Sequence, residues 1–243
     1  MAENFPYSKD VAAEKIESLV NKFSRGFNRY VSKDFEETPT RVEFINPFFT
    51  ALGWDVTNDL TKKDDQYKDV VHEANVYVKE DRERKNKKPD YAFRVNGKEA
   101  FFLEAKPPHI KLDKDKEPAF QARRYGFAKN HSISILNNFE DLAIYECLPE
   151  PKITDSPSKA RAQYYHYTEY LKNLDGIWDL LARENVINGS IQKFGFTKKK
   201  GIKTVDDEFL EDIERWRKKL ALNITDLNKK IDEVDLNYVV QQT

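Results

Sequence analysis

Apolar residues recur at three- and four-residue spacing through the first stretch of the chain, at Val11, Ile16, Leu19, Val20, Phe23 and Phe27. That is the period of an amphipathic helix, and Ser8 stands where its N-cap belongs. A second helical stretch opens near Pro39 and stops at Gly53. Pro47 inside it lacks an amide hydrogen for the preceding turn, so a bent helix is expected. The pattern then changes to β-branched and aromatic runs, "GWDVTND" and "KDVVHEANVYV", followed by two further strand-like runs meeting at Asn96-Gly97, a hairpin signal. "EPAFQARRYGFAKN" returns to helical spacing, and "SISILNNFEDLAIYEC" reads as two strands about an Asn-Asn turn. This order describes an α/β core over residues 1–152.

Beyond the break "LPEPKITDSPSK" the pattern is read as helical, giving a C-terminal helical extension over residues 153–243. Its tyrosines, Tyr164, Tyr165, Tyr167 and Tyr170, could stack on bases, but aromatics at this spacing more often pack a core. The last segment stops in mid-pattern at "NYVVQQT", so more chain is expected to follow.

Composition narrows the chemistry. A chain of 243 residues with 39% hydrophobic content can fill one sizeable core. No run approaches the roughly 20 apolar residues of a membrane span and the first residues carry no secretory pattern, so a cytoplasmic protein with no membrane partner is expected. The lone Cys147 and the scattered His72, His109, His131 and His166 offer neither a disulfide framework nor a zinc site. Any metal would be held mainly by oxygen. The net charge of -1 hides local runs: "RERKNKK" (Arg82, Arg84, Lys85, Lys87 and Lys88 against Glu83) and "KFGFTKKKGIK" from Lys193 to Lys203. Such runs are commonly solvated loops; the first differs in leading straight into Pro89-Asp90.

Acidic-x-Lys triplets recur at Glu83 and Glu150 in polar or proline-broken surroundings, but only Glu104-Ala105-Lys106 closes an apolar strand, "AFFLEAK". Side chains alternate on a strand, so Glu104 and Lys106 share one face while Phe101, Leu103 and Ala105 share the other. A carboxylate and an ammonium beside a core need compensation from each other, a metal or a ligand. A plain two-residue turn at Asn96-Gly97 would set Asp90 opposite Leu103, on the wrong face. A three-residue loop from Val95 or a bulge would return Asp90 to the Glu104 side, so an odd loop or a bulge is expected. Two carboxylates on one face suit Mg²⁺, and a nearby ammonium can orient water and offset charge on a phosphorane, which together fit phosphodiester hydrolysis. An ordinary ion pair beside an unrelated Asp would show the same spacing.

Pro89-Asp90 followed by Glu104-Ala105-Lys106 resembles the PD-(D/E)xK nuclease motif, and Gln121 to Tyr125, "QARRY", resembles the Q-x-x-x-Y element of its RecB-like branch. More widely, "ETPTRVEFINPFFTALGWDV", "FFLEAKPP", "FQARRYGFA" and "FLEDIERWRKKLALNI" resemble, in order, the amino-terminal region of Type IIG restriction–modification enzymes. The resemblance implies a restriction-endonuclease-like core, a mixed central sheet flanked by helices. It implies Mg²⁺ held by Asp90 and Glu104, with Glu37 as a further carboxylate, Lys106 assisting the attacking water, and Gln121 and Tyr125 beside the scissile phosphate. Glu37 could equally be a solvated helix-start acid. The implied partners are double-stranded DNA, touched at its backbone by Arg82, Arg84, Lys85, Lys87 and Lys88, and downstream methyltransferase and target-recognition regions of one polypeptide. Transient dimerisation for double-strand cleavage goes with them. No Gly-rich loop with an Asn-Pro-Pro-Tyr motif is present, so neither S-adenosylmethionine binding nor methylation is expected of these residues. Two other readings stay open: an inactive nuclease-fold module that docks DNA or a methyltransferase, and a nuclease acting on RNA or branched DNA.

Overall fold

The computed structural model describes residues 5–80 and 83–193, with positions 220 and 224 singly. Residues 1–196 form one compact unit and 197–243 another. All elements named below lie in the first; the "KKKGIK" run and the far C-terminal helical reading fall outside the described residues.

Helix α1 spans Lys9–Arg25, and Ser8 caps it by accepting the Val11 amide. A short α2, Phe27–Tyr30, follows Gly26. The second helical stretch is broken in two: α3 (Glu37–Thr40) passes through a π-helical turn, Arg41–Ile45, into α4 (Asn46–Ala51). Pro47 explains the interruption. With no amide hydrogen it cannot serve the Glu43 carbonyl, and the Asn46 amide reaches back to Arg41 instead. Gly53, at φ 88°, turns the chain out of the helix as expected.

A six-stranded mixed sheet runs in the order β1-β4-β5-β6-β7-β8. Its strands are β1 (Val70–His72), β4 (Tyr91–Val95), β5 (Lys98–Ala105), β6 (Ile133–Asn137), β7 (Asp141–Glu146) and β8 (Arg161–His166). Strands β5 and β6 are parallel, joined through α5 (Lys116–Ala128), and the other neighbours are antiparallel. A separate hairpin, β2 (Val76–Glu80) with β3 (Glu83–Lys87), leaves the sheet between β1 and β4. The "GWDVTND" stretch is not a strand; Trp54 and Val56 are buried within loop.

One face of the sheet carries Phe93, Phe101, Leu103, Ala105, Ile133, Ile135, Leu142 and Ile144, packed with α1, α4 and an aromatic cluster around Phe23, Phe44, Phe48 and Phe139. The other face meets α5 through two smaller clusters, Leu112, Ala119, Ala122, Leu136, Ala143 and Tyr145, and Val76, Ala92, Phe102 and Tyr125. Helix α5 sits close because Gly126 lies against β6 and the segment after β7: a Cβ there would collide with Cys147 Sγ and Ser134 Oγ. Gly126→Ala is therefore expected to destabilise the protein by about 1–3 kcal/mol, measured as a lower midpoint in denaturant unfolding.

The helical reading of residues 161–166 is corrected: they form β8, pairing with β7 from Asp141↔His166 to Tyr145↔Arg161. Helices α6 (Leu174–Leu181) and α7 (Arg183–Ile187) follow. Nor do residues 153–193 stand apart. Trp54 Nε1 donates to the Leu181 carbonyl at 2.9 Å, and the Arg183 amide donates to Leu52 at 2.9 Å. The compact unit runs on to Phe196, well past the break near residue 152. Tyr170 and Tyr167 are core residues, Tyr170 donating its hydroxyl to the Phe139 carbonyl at 2.8 Å, as aromatic packing predicts. Among the described residues no helix is long and apolar enough to cross a membrane.

Candidate active site

Asn96 and Gly97 form a two-residue turn, with Val95 opposite Lys98, and both central residues have positive φ. A bulge then intervenes between Phe93 and Arg94: Arg94 faces Glu99 but Phe93 faces Phe101, so Ala100 is the extra residue. The expected bulge is present, on the β5 side and beyond a tight turn. From there Tyr91 faces Leu103, so one step further sets Asp90 across from Glu104. The two carboxylates share a face, and Asp90 Oδ2 accepts the Ala105 amide at 2.7 Å.

Glu104 is 3% exposed. Its Oε1 accepts from Lys106 Nζ at 2.6 Å, while Oε2 is buried with no hydrogen-bond partner. Burial, then the Asp90 charge, push the Glu104 carboxyl up to about 7 against the pull of Lys106. Burial works against the Lys106 ammonium, yet the Glu104 charge and hydrogen bond outweigh it, so Lys106 keeps its proton above the ordinary lysine range. Glu37, from the first turn of α3, reaches within 4.0 Å of Lys106 Nζ. Its carboxyl is also raised, first by burial and then by Asp90. The structure thus gathers Asp90, Glu104, Lys106 and Glu37.

Gln121 and Tyr125 lie one turn apart on α5, Gln121 Nε2 donating to the Tyr125 hydroxyl at 3.1 Å. Tyr125 is buried on Ala92 and Phe102, and its pKa is raised by burial, with the Glu104 charge adding to the effect. The basic run is placed differently from the expected loop. It forms β3; Arg82 lies outside the described residues, and Arg84 and Lys85 enter as backbone positions paired with Lys79 and Val78. Lys87 pairs with Val76 at the hairpin base, and exposed Lys88 sits 3.7 Å from Glu73.

Sequence reasoning missed a second group. Arg41 opens the π turn, its Nη1 3.6 Å from Asp90 Oδ1 and 4.0 Å from Glu37 Oε1. Tyr91, Asn46 and His72 surround it. The available signal was the four-residue interval from Glu37 to Arg41 within one helical stretch, which puts both on one side.

The donor set suits a hard cation. An orphaned carboxylate oxygen on Glu104 and a second carboxylate across the strand pair lie on one face, where they could serve as oxygen donors to such an ion. Among the described residues no group of three or more His, Cys, Asp or Glu side chains is disposed to enclose a metal.

Residues 34–153 match the family model for the N terminus of the Type I restriction enzyme R protein, HSDR_N. That match covers just under half of the chain. Every side chain of the site, from Glu37 to Tyr125, falls inside it, whereas β8, α6 and α7 lie beyond the matched residues. The chain is also 36% identical, over 230 residues, to a Type II restriction enzyme and methyltransferase of Escherichia coli, RM.Eco57I, across 94% of this chain and 23% of that relative. The chain therefore spans about a quarter of the relative's length. No solved structure matches. The mixed sheet flanked by helices is a restriction-endonuclease-like fold, and the likeness to that restriction enzyme and methyltransferase holds along nearly the whole chain.

Proposed function

We propose that this chain is the DNA-cleaving region of a restriction–modification enzyme, hydrolysing phosphodiester bonds of double-stranded DNA with Mg²⁺ held by Asp90 and Glu104. One observation carries the reading: a buried carboxylate whose free oxygen has no partner faces a second carboxylate across a bulged hairpin, with a protonated lysine 2.6 Å away. The restriction activity in the relative's name supports DNA as the substrate. On the same reading methylation and target recognition belong to other regions of such fusions, and two copies meet transiently to cut both strands.

A bound divalent ion supplies Lewis acidity and a more acidic water. Lys106 keeps its proton, so it orients the attacking water by donating to it and offsets charge on the phosphate, leaving the role of base to another group. Gln121 and Tyr125, joined to each other, present a polar edge from α5 toward the phosphate. Glu37 balances Lys106 and Arg41.

Supercoiled plasmid incubated with the purified chain is expected to be nicked with Mg²⁺ and left intact with chelator. No nicking, with no Mg²⁺ binding by calorimetry, would support the inactive docking module instead; equal action on RNA or branched DNA would redirect the substrate class. The raised Glu104 pKa adds a pH signature. Below about 7 the metal-free carboxyl holds a proton that an incoming cation must displace. Apparent Mg²⁺ affinity is therefore expected to climb between pH 6 and 8, by up to about tenfold per unit on the acid side. Titrations in buffers of different ionisation enthalpy would show the proton release.

A further inference from the structure

We infer that Arg41 contacts the phosphate: its guanidinium binds a non-bridging oxygen of the scissile phosphodiester and stabilises the charge that grows there during attack. The inference rests on the nuclease reading above and deepens it.

The guanidinium is held on three sides. It lies over the Tyr91 ring, 4.7 Å from the centroid, and Nε donates to the Tyr91 hydroxyl at 3.1 Å. That hydroxyl donates in turn to Asn46 Oδ1 at 2.7 Å. Nη2 meets His72 Nδ1 at 3.2 Å, and His72 Nε2 faces the Val56 carbonyl at 3.1 Å. A carbonyl only accepts, so Nε2 carries the imidazole proton and Nδ1 is the acceptor for Arg41.

The fourth side is different. Nη1 stands 3.6 Å from Asp90 Oδ1 and 4.0 Å from Glu37 Oε1, both beyond hydrogen-bond length. A guanidinium that served only to staple two carboxylates would close on one of them at about 2.7–2.9 Å. Here its remaining N–H groups face the carboxylates without bonding them. Lys106 lies on the Glu104 side of the same group, so two cations flank the carboxylates. A phosphate bound between them would meet a planar fork from Arg41 and a point charge from Lys106.

In hydrolysis a water oxygen bonds to phosphorus and the bond from phosphorus to the departing sugar oxygen breaks. One water proton goes to that oxygen and the other to solvent. Charge on the non-bridging oxygens peaks between these events, where a fixed donor contributes most.

The test pairs Arg41→Ala with Arg41→Lys, the second guarding against loss of the fold. Single-turnover cleavage of a DNA duplex, Mg²⁺ binding by calorimetry and thermal melting would be followed together. The rate constant is expected to fall by about 10²–10³ in Arg41→Ala and by about tenfold or more in Arg41→Lys, which keeps the charge but not the fork. Mg²⁺ affinity should hold or improve in Arg41→Ala, because a cation beside Asp90 is gone. A near-wild-type rate in either variant, or Mg²⁺ affinity falling in step with the rate, would overturn the inference and make Arg41 a prop for Asp90. Failure of the wild-type protein to cleave would instead remove the nuclease reading, and this inference with it.

Discussion

Lys106→Ala is expected to lower Mg²⁺-supported cleavage by about 10³-fold or more, from two losses at one atom. The ammonium sits 2.6 Å from a carboxylate that is 3% exposed, and its removal leaves Glu104 without its cation. The Glu104 pKa, already about 7 with Lys106 in place, then rises further, so the metal-free variant takes up a proton at neutral pH and binds Mg²⁺ less well. The second loss, water orientation and charge stabilisation at phosphorus, is not restored by more metal. Cleavage should therefore stay depressed at saturating Mg²⁺. The stability signature follows from the sign of the shift. A carboxyl whose folded pKa lies above its unfolded value stabilises the fold while protonated and loses that contribution as pH rises through the folded pKa. The variant should melt close to wild type near pH 6 and lower near pH 8. Ordinary nicking by Lys106→Ala at saturating Mg²⁺ would sink the assignment; Lys106→Met, which keeps the aliphatic stem, separates charge from packing.

Phe23→Ala is expected to cost about 3–5 kcal/mol. Phe23 is fully buried on α1 and stacks or crosses five rings: Phe27, Tyr30, Phe44, Phe139 and Tyr167, with centroids between 4.9 and 5.9 Å. Those rings come from α2, the π turn, the β6–β7 turn and the segment after β8, so a hole at this point loosens all of them together. At this size the melting temperature should drop by about 10 °C. One transition is expected in calorimetry for residues up to 196, since Tyr167 ties the post-β8 segment to α1. Two separated transitions would contradict that.

The parts of the site legible in the sequence are those fixed by local periodicity. Strand alternation alone put Glu104 and Lys106 on one face, and the clash between Asp90 and a plain turn demanded a bulge. Helical spacing put Gln121 beside Tyr125. What escaped depends on contacts between distant segments: Arg41 meets Tyr91, 50 residues on, only because α3 and the π turn pack beside β4. The two misread strands have a common cause. Charged β3 and the edge strand β8, with its Arg161, Gln163 and His166, lack the apolar alternation of a strand covered on one face. They are strands because β2 and β7 offer partners.

The extra Ala100 carries a rule for related chains. Whether Asp90 and Glu104 meet depends on odd and even, not on distance: removing one residue from either arm of the ribbon turns the aspartate inward among phenylalanines, and removing a second restores it. Length changes between these two acids that preserve cleavage should accordingly come in compensating pairs, and a relative that differs here by a single residue should have lost the activity or rebuilt the turn.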